Sequence, residues 1–210
     1  MNATERISDL PPITPPSRPP QGPGQDASDS FGDFYESMAP FLLAWAELRI
    51  PRALRSALEP EDLVQETCFR AYKGFATYRS DMGEFRSWLF GIANNVLHES
   101  LRAWSRRRSN STSTPKSRWA DAAELASLPT AVTSISKRLA RRDDWRILLQ
   151  VLEKLEPEDK QLLALRGIEG LSNAKSAELL GFPEAAAAKR WQRLKARLAA
   201  LDIDRQLLGL

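Results

Sequence analysis

Residues 61–75 read EDLVQETCFRAYKGF and residues 85–108 read FRSWLFGIANNVLHESLRAWSRRR. In both stretches apolar residues recur every three or four positions, the period of a helix that is buried along one side. The predicted buried face of the first helix comprises Leu63, Val64, Thr67, Cys68, Ala71, Tyr72 and Phe75. That of the second comprises Phe85, Trp88, Leu89, Ile92, Ala93, Val96, Leu97, Leu101 and Trp104. We therefore expect two amphipathic helices that share one core.

The outer face of the first helix places an aromatic ring, Phe69, among polar and charged side chains. These are Asp62, Gln65, Glu66, Arg70 and Lys73. An exposed ring in such surroundings favours contact with a partner. A local interpretation is also open and is favoured on this helix alone: acids near the helix start suit its positive end, and Asp62, Glu66 and Arg70 lie at i, i+4 spacing.

The outer face of the second helix differs in amino-acid composition from an ordinary solvated face. At four-residue steps it carries Arg86, Phe90, Asn94, His98 and Arg102. Asn95 and Glu99 lie beside this row, and the basic residues 106–108 follow it. Asparagines, an aromatic ring and arginines suit base edges, unstacked bases and phosphates.

The segment before these helices adds a third apolar stripe, which Pro51 ends. It comprises Phe34, Met38, Phe41, Leu42, Trp45 and Leu48. Residues 1–30 contain PPITPPSRPPQGPG, which cannot form an ordinary helix, so we expect a disordered tail there. The sequence thus predicts a first helical domain over residues 31–104.

Charge is concentrated between two nearly neutral parts of the chain. The formal charge of the whole chain is +3, but residues 105–142 alone carry +7. This part is rich in Ser, Thr, Arg and Pro and predicts a flexible basic linker. Such a linker suits a path along a polyanion or an acidic channel, although a merely solvated linker would have the same composition.

The chemistry-bearing residues are few. One cysteine, Cys68, allows no internal disulfide, and one histidine, His98, has no ligand or acid partner at a useful spacing. We therefore expect no metal, no cofactor and no catalytic centre. The longest apolar run, residues 41–46, is far shorter than the roughly 20 residues that span a bilayer. The sequence predicts a cytoplasmic protein without membrane insertion.

A second helical domain is predicted over residues 143–210. Its first helix buries Trp145, Leu148, Leu149, Leu152 and Leu155, and its second runs from Pro157 to about Gly167. Ser172 is expected to cap a short helix over 173–180, which Gly181 ends in a left-handed conformation. Pro183 then opens a last helix, whose predicted core is Ala187, Trp191, Leu194, Leu198 and Leu201.

The last helix has a strongly basic side, with no acid between Ala185 and Leu201. The residue immediately before each of the first four core residues lies on this side; these are Ala186, Arg190, Arg193 and Arg197. Lys189 and Lys195 add further positive charge. A short helix, a tight turn and a basic helix form the layout of a helix-turn-helix, whose second helix enters the major groove. A solvated C-terminal helix rich in good helix formers is the alternative.

These segments resemble a known family, the extracytoplasmic-function type of bacterial RNA polymerase sigma factors. DLVQET and FRSWLFGIANN resemble its region two, and LEPEDKQLLALRGIEGLSNAKSAELLGF resembles its region four, in the family's order. The resemblance implies an all-α chain of two small domains joined by a flexible linker that passes through the polymerase. It implies a non-enzymatic factor that binds core RNA polymerase and directs promoter recognition and melting.

The resemblance also implies site residues. The core-polymerase contact, on the clamp of the beta-prime subunit, would comprise Asp62, Gln65, Glu66 and Phe69. The minus-ten contact would comprise Tyr78, Arg86, Asn94, Asn95 and Arg102. The minus-thirty-five contact would comprise Ala185, Ala186, Lys189, Arg190 and Arg193. The flap of the beta subunit and an anti-sigma factor are further partners that the family implies.

Four positions depart from the family pattern. Ser176 stands where a buried aliphatic residue is usual, Ala188 replaces a basic residue, Asn94 an arginine and His98 an acid. Two other functions stay open: a free-standing helix-turn-helix regulator, which would bind duplex DNA without polymerase, and a helical adaptor that binds protein only.

Overall fold

The computed structural model describes residues 25–79, 81, 84–109 and 143–199. Helices α1 (Gln25–Arg49), α2 (Pro60–Gly74) and α3 (Phe85–Ser109) form the N-terminal domain, with short 3-10 turns at Arg52–Leu54 and Phe75–Thr77. Helices α4 (Asp143–Glu153), α5 (Pro157–Leu162), α6 (Asn173–Leu180) and α7 (Glu184–Ala199) form the C-terminal domain. The described ranges contain no strand, as the predicted all-α class requires.

The N-terminal domain is built on the three apolar stripes that the sequence indicates. Trp45, Leu63 and Leu89 are completely buried, one from each helix. At one end of the bundle, the ring centroid of Phe31 lies 5.4 Å from that of Tyr72 and 5.2 Å from that of Phe75. These contacts join α1 to α2 and to the turn that follows it.

Helix α1 begins at Gln25, so it includes six residues that the sequence assigned to a disordered tail. The last proline of the expected tail is Pro23, so residues 25–30 contain no proline that would break the helix. Once packing holds a helix, each further residue adds a hydrogen bond at little cost, which explains the longer α1. Helix α3 continues to Ser109, five residues into the linker that the sequence predicted over 105–142. The rest of the expected tail and residues 110–142 of that linker lie outside the described residues.

The C-terminal domain confirms the predicted caps and most of the predicted core. On α4, Leu148 and Leu152 are buried and Leu149 is half-buried, whereas the side chain of Trp145 lies outside the described residues. The Ser172 hydroxyl accepts a hydrogen bond from the Lys175 backbone N–H at 3.1 Å, and Gly181 has a left-handed φ of 69°. Ala187, Trp191, Leu194 and Leu198 are all buried on α7, whereas Leu201 lies outside the described residues.

Helix α5 continues into a single wider turn, a π-helix over Leu163–Ile168. The backbone N–H of Glu169 bonds to the carbonyl of Ala164 at 2.8 Å, and that of Leu171 bonds to Leu165 at 3.0 Å. Gly170 follows with a φ of 78°. Residues 167–170, which we call the π-turn exit, lie against α1 and α3 of the other domain.

The two domains pack on each other, and their buried apolar side chains form one continuous cluster. The physical reason lies in α1, where residues 41–46 are all buried. A helix that is apolar all round must be covered on more than one side. Helices α2 and α3 cover one side of α1, and the end of α5 with its π turn packs on another.

Within the described ranges, no helix is both long enough and apolar enough to span a bilayer.

Candidate polymerase and nucleic-acid interfaces

The outer face of α2 is only partly open. Asp62 is exposed and Gln65 is half-buried, but Glu66 retains 3% and Phe69 6% of its possible exposure. The expectation that Glu66 and Phe69 lie on an open face is therefore wrong.

Glu66 belongs to an ion-pair chain between two helices, which offsets the cost of burying its carboxylate. Arg70 donates from Nε to Glu66 at 2.7 Å and from Nη2 to Glu99 of α3 at 3.0 Å. The Lys73 ammonium lies 4.2 Å from the Phe69 ring centroid. These contacts fix the face of α2 from which Asp62 and Gln65 project.

The outer face of α3 is divided between solvent and the C-terminal domain. Asn95, His98 and Arg102 are exposed, as predicted, but Phe90 retains only 2% of its possible exposure. Its ring centroid lies 5.8 Å from that of Trp45. The expectation of an open face is wrong at Phe90, because α3 packs on α1 and the π-turn exit at this point.

Two predicted DNA-binding residues of α3 instead contact the π-turn exit. Arg86 donates from Nε to the carbonyl of Ile168 and from Nη2 to that of Gly167, each at 2.6 Å. Burial lowers the pKa of Arg86, against a smaller opposing effect of Glu84. Asn94 donates from Nδ2 to Glu169 at 3.2 Å. Both side chains are half-buried.

The same contact includes two residues that the sequence did not single out for function. The indole N–H of Trp45 donates to Glu169 Oε1 at 2.7 Å, and Glu169 is buried. The signal was present in the uninterrupted apolar run 41–46, which indicates a helix covered on two sides. That run does not indicate which segment packs on the second side of the helix.

Tyr78 lies at the start of the turn between α2 and α3 and is half-buried. Its ring centroid lies 5.2 Å from that of Trp88 and 5.7 Å from that of Phe85. Burial, and then the charge of Glu84, raises the pKa of its hydroxyl. The ring is thus partly covered by the aromatic residues at the start of α3.

The basic side of α7 has an open part and a paired part. Ala185, Ala186, Lys189 and Arg193 are exposed. Arg190 instead bonds from Nε to Asp159 of α5 at 2.5 Å, and its Nη2 lies 3.4 Å from Glu158. Arg197 also bonds to Asp159, at 3.0 Å. The buried Asp159 carboxylate therefore anchors α7 on α5 through two arginines.

The positions that depart from the family pattern behave in different ways. Ser176 is completely buried, and its hydroxyl has no hydrogen-bond partner among the described residues. Ala188 is half-buried on α7, and His98 is exposed on α3. Of these positions, only Ser176 carries an obvious cost in packing and polarity.

Cys68 is a buried core residue, and its burial raises the pKa of the thiol to about 12. No group of three or more His, Cys, Asp or Glu side chains that could hold a metal occurs among the described residues.

Comparison with known proteins gives two family matches in one order. The family description "Sigma-70 region 2" matches residues 34–108, and "Sigma-70, region 4" matches residues 145–198. The matches coincide with the two helical domains, so the α3 face belongs to region 2 and α7 belongs to region 4.

Curated relatives extend the similarity across both regions. The RNA polymerase sigma-H factor of Pseudomonas aeruginosa is 31% identical over 137 residues, which cover 64% of this chain and 68% of that protein. The ECF RNA polymerase sigma factor SigD of Mycobacterium tuberculosis is 25% identical over 169 residues, 79% of this chain and 75% of SigD. BldN of Streptomyces coelicolor, another ECF sigma factor, is 27% identical over 177 residues, 84% of this chain and 62% of BldN. With two matched regions and these relatives, the chain belongs to the sigma-70 family of RNA polymerase sigma factors, in its extracytoplasmic-function branch.

Proposed function

We propose that this sigma factor divides transcription initiation among three surfaces, one each on α2, α3 and α7. The observation that carries the assignment is the exposure of Asp62, of Asn95 and Arg102, and of Lys189 and Arg193, on helices that belong to the two matched regions. The chain would act by binding and orienting its partners, without catalysing a reaction of its own.

The α2 surface would dock on core polymerase, at the clamp of the beta-prime subunit. Asp62 and Gln65 are its accessible members, and Glu66 and Phe69 support them from beneath. The Arg70 bridge between Glu66 and Glu99 keeps α2 in a fixed orientation on α3. A rigid support of this kind lowers the entropy that docking would otherwise cost.

The α3 surface would hold the separated strand of the minus-ten element. Asn95 and Arg102 are accessible in the described conformation, with Tyr78 at the neighbouring turn. Arg86 and Asn94 would join them once the π-turn exit moves away. Holding an unstacked base costs a few kcal/mol, which amide and guanidinium contacts must recover.

The α7 surface would bind the minus-thirty-five element as duplex. Ala185 and Ala186 leave room for close approach to base edges, and Lys189 and Arg193 would contact phosphates. Arg190, which the family resemblance places among the readers, would position α7 through Asp159 instead. The beta flap would hold the C-terminal domain at the required distance from the clamp.

These partners imply a cytoplasmic site of action. An anti-sigma factor is a further proposed partner, which would act by covering the α2 or α3 surface.

The test of the proposed function is binding to purified core polymerase, followed by run-off transcription. Asp62→Lys reverses an exposed charge on α2. The proposed polymerase surface opposite this acid would be basic, so the variant would place like charges across the interface, which cost several kcal/mol. We expect it to reduce core binding at least about tenfold. Glu36→Lys, at an exposed position of α1, is the matched control and should bind as the natural chain does.

Unchanged binding by Asp62→Lys would remove α2 from the polymerase contact. If the natural chain itself fails to bind core polymerase yet binds duplex DNA tightly, it acts as a free-standing regulator instead. Circular dichroism of each variant checks that its helices remain intact.

A further inference from the structure

The π-turn exit presents three hydrogen-bond acceptors to the N-terminal domain. They are the carbonyl oxygens of Gly167 and Ile168 and the carboxylate of Glu169. The wide turn of the backbone and the positive φ of Gly170 direct the chain so that all three face α1 and α3. The set consists of two neutral carbonyl oxygens and one charged carboxylate, both of whose oxygens accept hydrogen bonds.

The opposing surface consists of donors. Arg86 supplies two N–H groups, Asn94 supplies its amide and Trp45 its indole N–H. Arg49 adds a guanidinium, whose Nη2 bonds to Asn94 Oδ1 at 3.3 Å. A row of donors that includes two guanidinium groups suits an acceptor-rich anionic ligand.

The closed contact satisfies this donor surface incompletely. Arg49 Nε is buried and has no acceptor among the described residues. Arg86 is half-buried and bonds to two neutral carbonyls, whereas a phosphate would offer its guanidinium a charged acceptor in bidentate geometry. A strand of nucleic acid would give these guanidinium groups the anionic acceptors that the closed contact does not give them.

We propose that the π-turn exit occupies, within the same chain, the surface that single-stranded promoter DNA uses, so that the closed protein and the DNA-bound protein exclude each other. The inference rests on the proposed function of α3. Glu169 is the central residue, because its two carboxylate oxygens accept from α1 and from α3 at once.

The connection between the domains permits opening. The chain from residue 110 to residue 142 would span roughly 110 Å if fully extended. Opening separates the C-terminal domain from α1 and exposes Arg86, Phe90 and Asn94 together. Core polymerase, by holding the two domains apart, would stabilise this state.

The test measures the distance between the domains in the full chain. Ser56 and Leu179 are exposed, one in each domain, and a cysteine at each would carry a spin label. The natural Cys68 is buried and its thiol pKa is about 12, so it stays unlabelled. Pulsed electron paramagnetic resonance then reports how many molecules are closed.

Glu169→Gln should shift this distribution to longer distances, because one of the two accepting oxygens becomes an NH2 group, which cannot accept from the donor it then faces, Trp45 or Asn94. If about one molecule in ten is open in the natural chain, opening the rest raises affinity for a short randomised single-stranded DNA about tenfold. The same DNA, added to the natural chain, should produce the same lengthening. Glu178→Gln, an exposed acid paired with Lys175 on α6, is the matched control and should change neither measurement.

Trp45→Phe removes the indole N–H from the other side of the contact and should lengthen the distance as Glu169→Gln does. The proposal is overturned if neither variant alters the distance, if the natural chain is already open, or if it stays closed while binding the strand. Core-polymerase binding is measured on the same samples. If the natural chain does not bind core polymerase, the proposed function is contradicted. A distance shift in Glu169→Gln and Trp45→Phe would still support the closed contact.

Discussion

At the scale of single residues, burial separates groups that look alike in the sequence. Asp62 and Glu66 are one helical turn apart, yet Asp62 is exposed and Glu66 is buried in an ion pair with Arg70. Arg190 and Arg193 differ in the same way, since Arg190 is paired with Asp159 and Arg193 is exposed. Sequence spacing alone assigns each pair to one surface, and partners from neighbouring helices then divide them.

Ser176 gives a prediction at this scale. A buried hydroxyl without a partner costs about 1–3 kcal/mol of desolvation, part of which Ser176→Ala should recover. We expect this variant to raise the free energy of unfolding by about 1 kcal/mol in urea titrations.

The matched control is Ser172→Ala on the same helix, α6. This substitution removes the N-cap hydrogen bond to the Lys175 backbone and should lower the free energy of unfolding by about 1 kcal/mol. If Ser176→Ala lowers the free energy of unfolding as Ser172→Ala does, the Ser176 hydroxyl has a hydrogen-bond partner.

At the scale of helices, α7 owes its orientation to α5. Asp159 lies in the first turn of α5, where the positive end of the helix favours a carboxylate. From there it accepts from Arg190 and Arg197, which lie two turns apart on α7. The exposed residues of α7 that we propose to contact DNA therefore lie on a helix whose position on α5 is fixed by this carboxylate.

Asp159→Asn should loosen this support. The carboxylate is buried and accepts two charge-assisted bonds, so we expect a loss of about 2 kcal/mol in the free energy of unfolding, measured by thermal denaturation. Glu158→Gln is the matched control, because Glu158 is exposed and lies 3.4 Å from the same arginine. A cost there of more than about 1 kcal/mol would contradict the assignment, since exposed ion pairs contribute little.

At the scale of the whole molecule, the continuous apolar cluster couples the two domains. Tryptophans lie in both, among them Trp45 on α1 and Trp191 on α7. We expect fluorescence and circular dichroism to report one coincident unfolding transition in urea, because neither domain can unfold without exposing the surface it shares with the other.

Glu169→Gln should split this transition in two, whereas Glu178→Gln should leave it single. Two transitions in the natural chain would mean that the domains fold independently and that the contact at α1 contributes little to stability.

Helix positions, caps and the internal core of each domain could be predicted, because each depends on residues close together in the chain. The stripe of α2, the Ser172 cap and the left-handed Gly181 are examples. The sequence could not predict the partners of Arg86, Asn94 and Arg190, because the groups they contact lie 31 to 82 residues away in the chain. It could not predict the burial of Phe90 either, because the covering residues come from other helices.

The order of amino acids therefore establishes which segments are helices, which face of each is apolar, and that the chain pairs a region 2 with a region 4. The packing of the two domains establishes which polar groups are open to a partner. The reason is that periodicity describes one helix relative to its own axis, whereas exposure depends on what the rest of the chain places against it. The donor surface of Trp45, Arg86 and Asn94, filled by the Glu169 carboxylate and two carbonyl oxygens, exists only where α1, α3 and the π-turn exit meet.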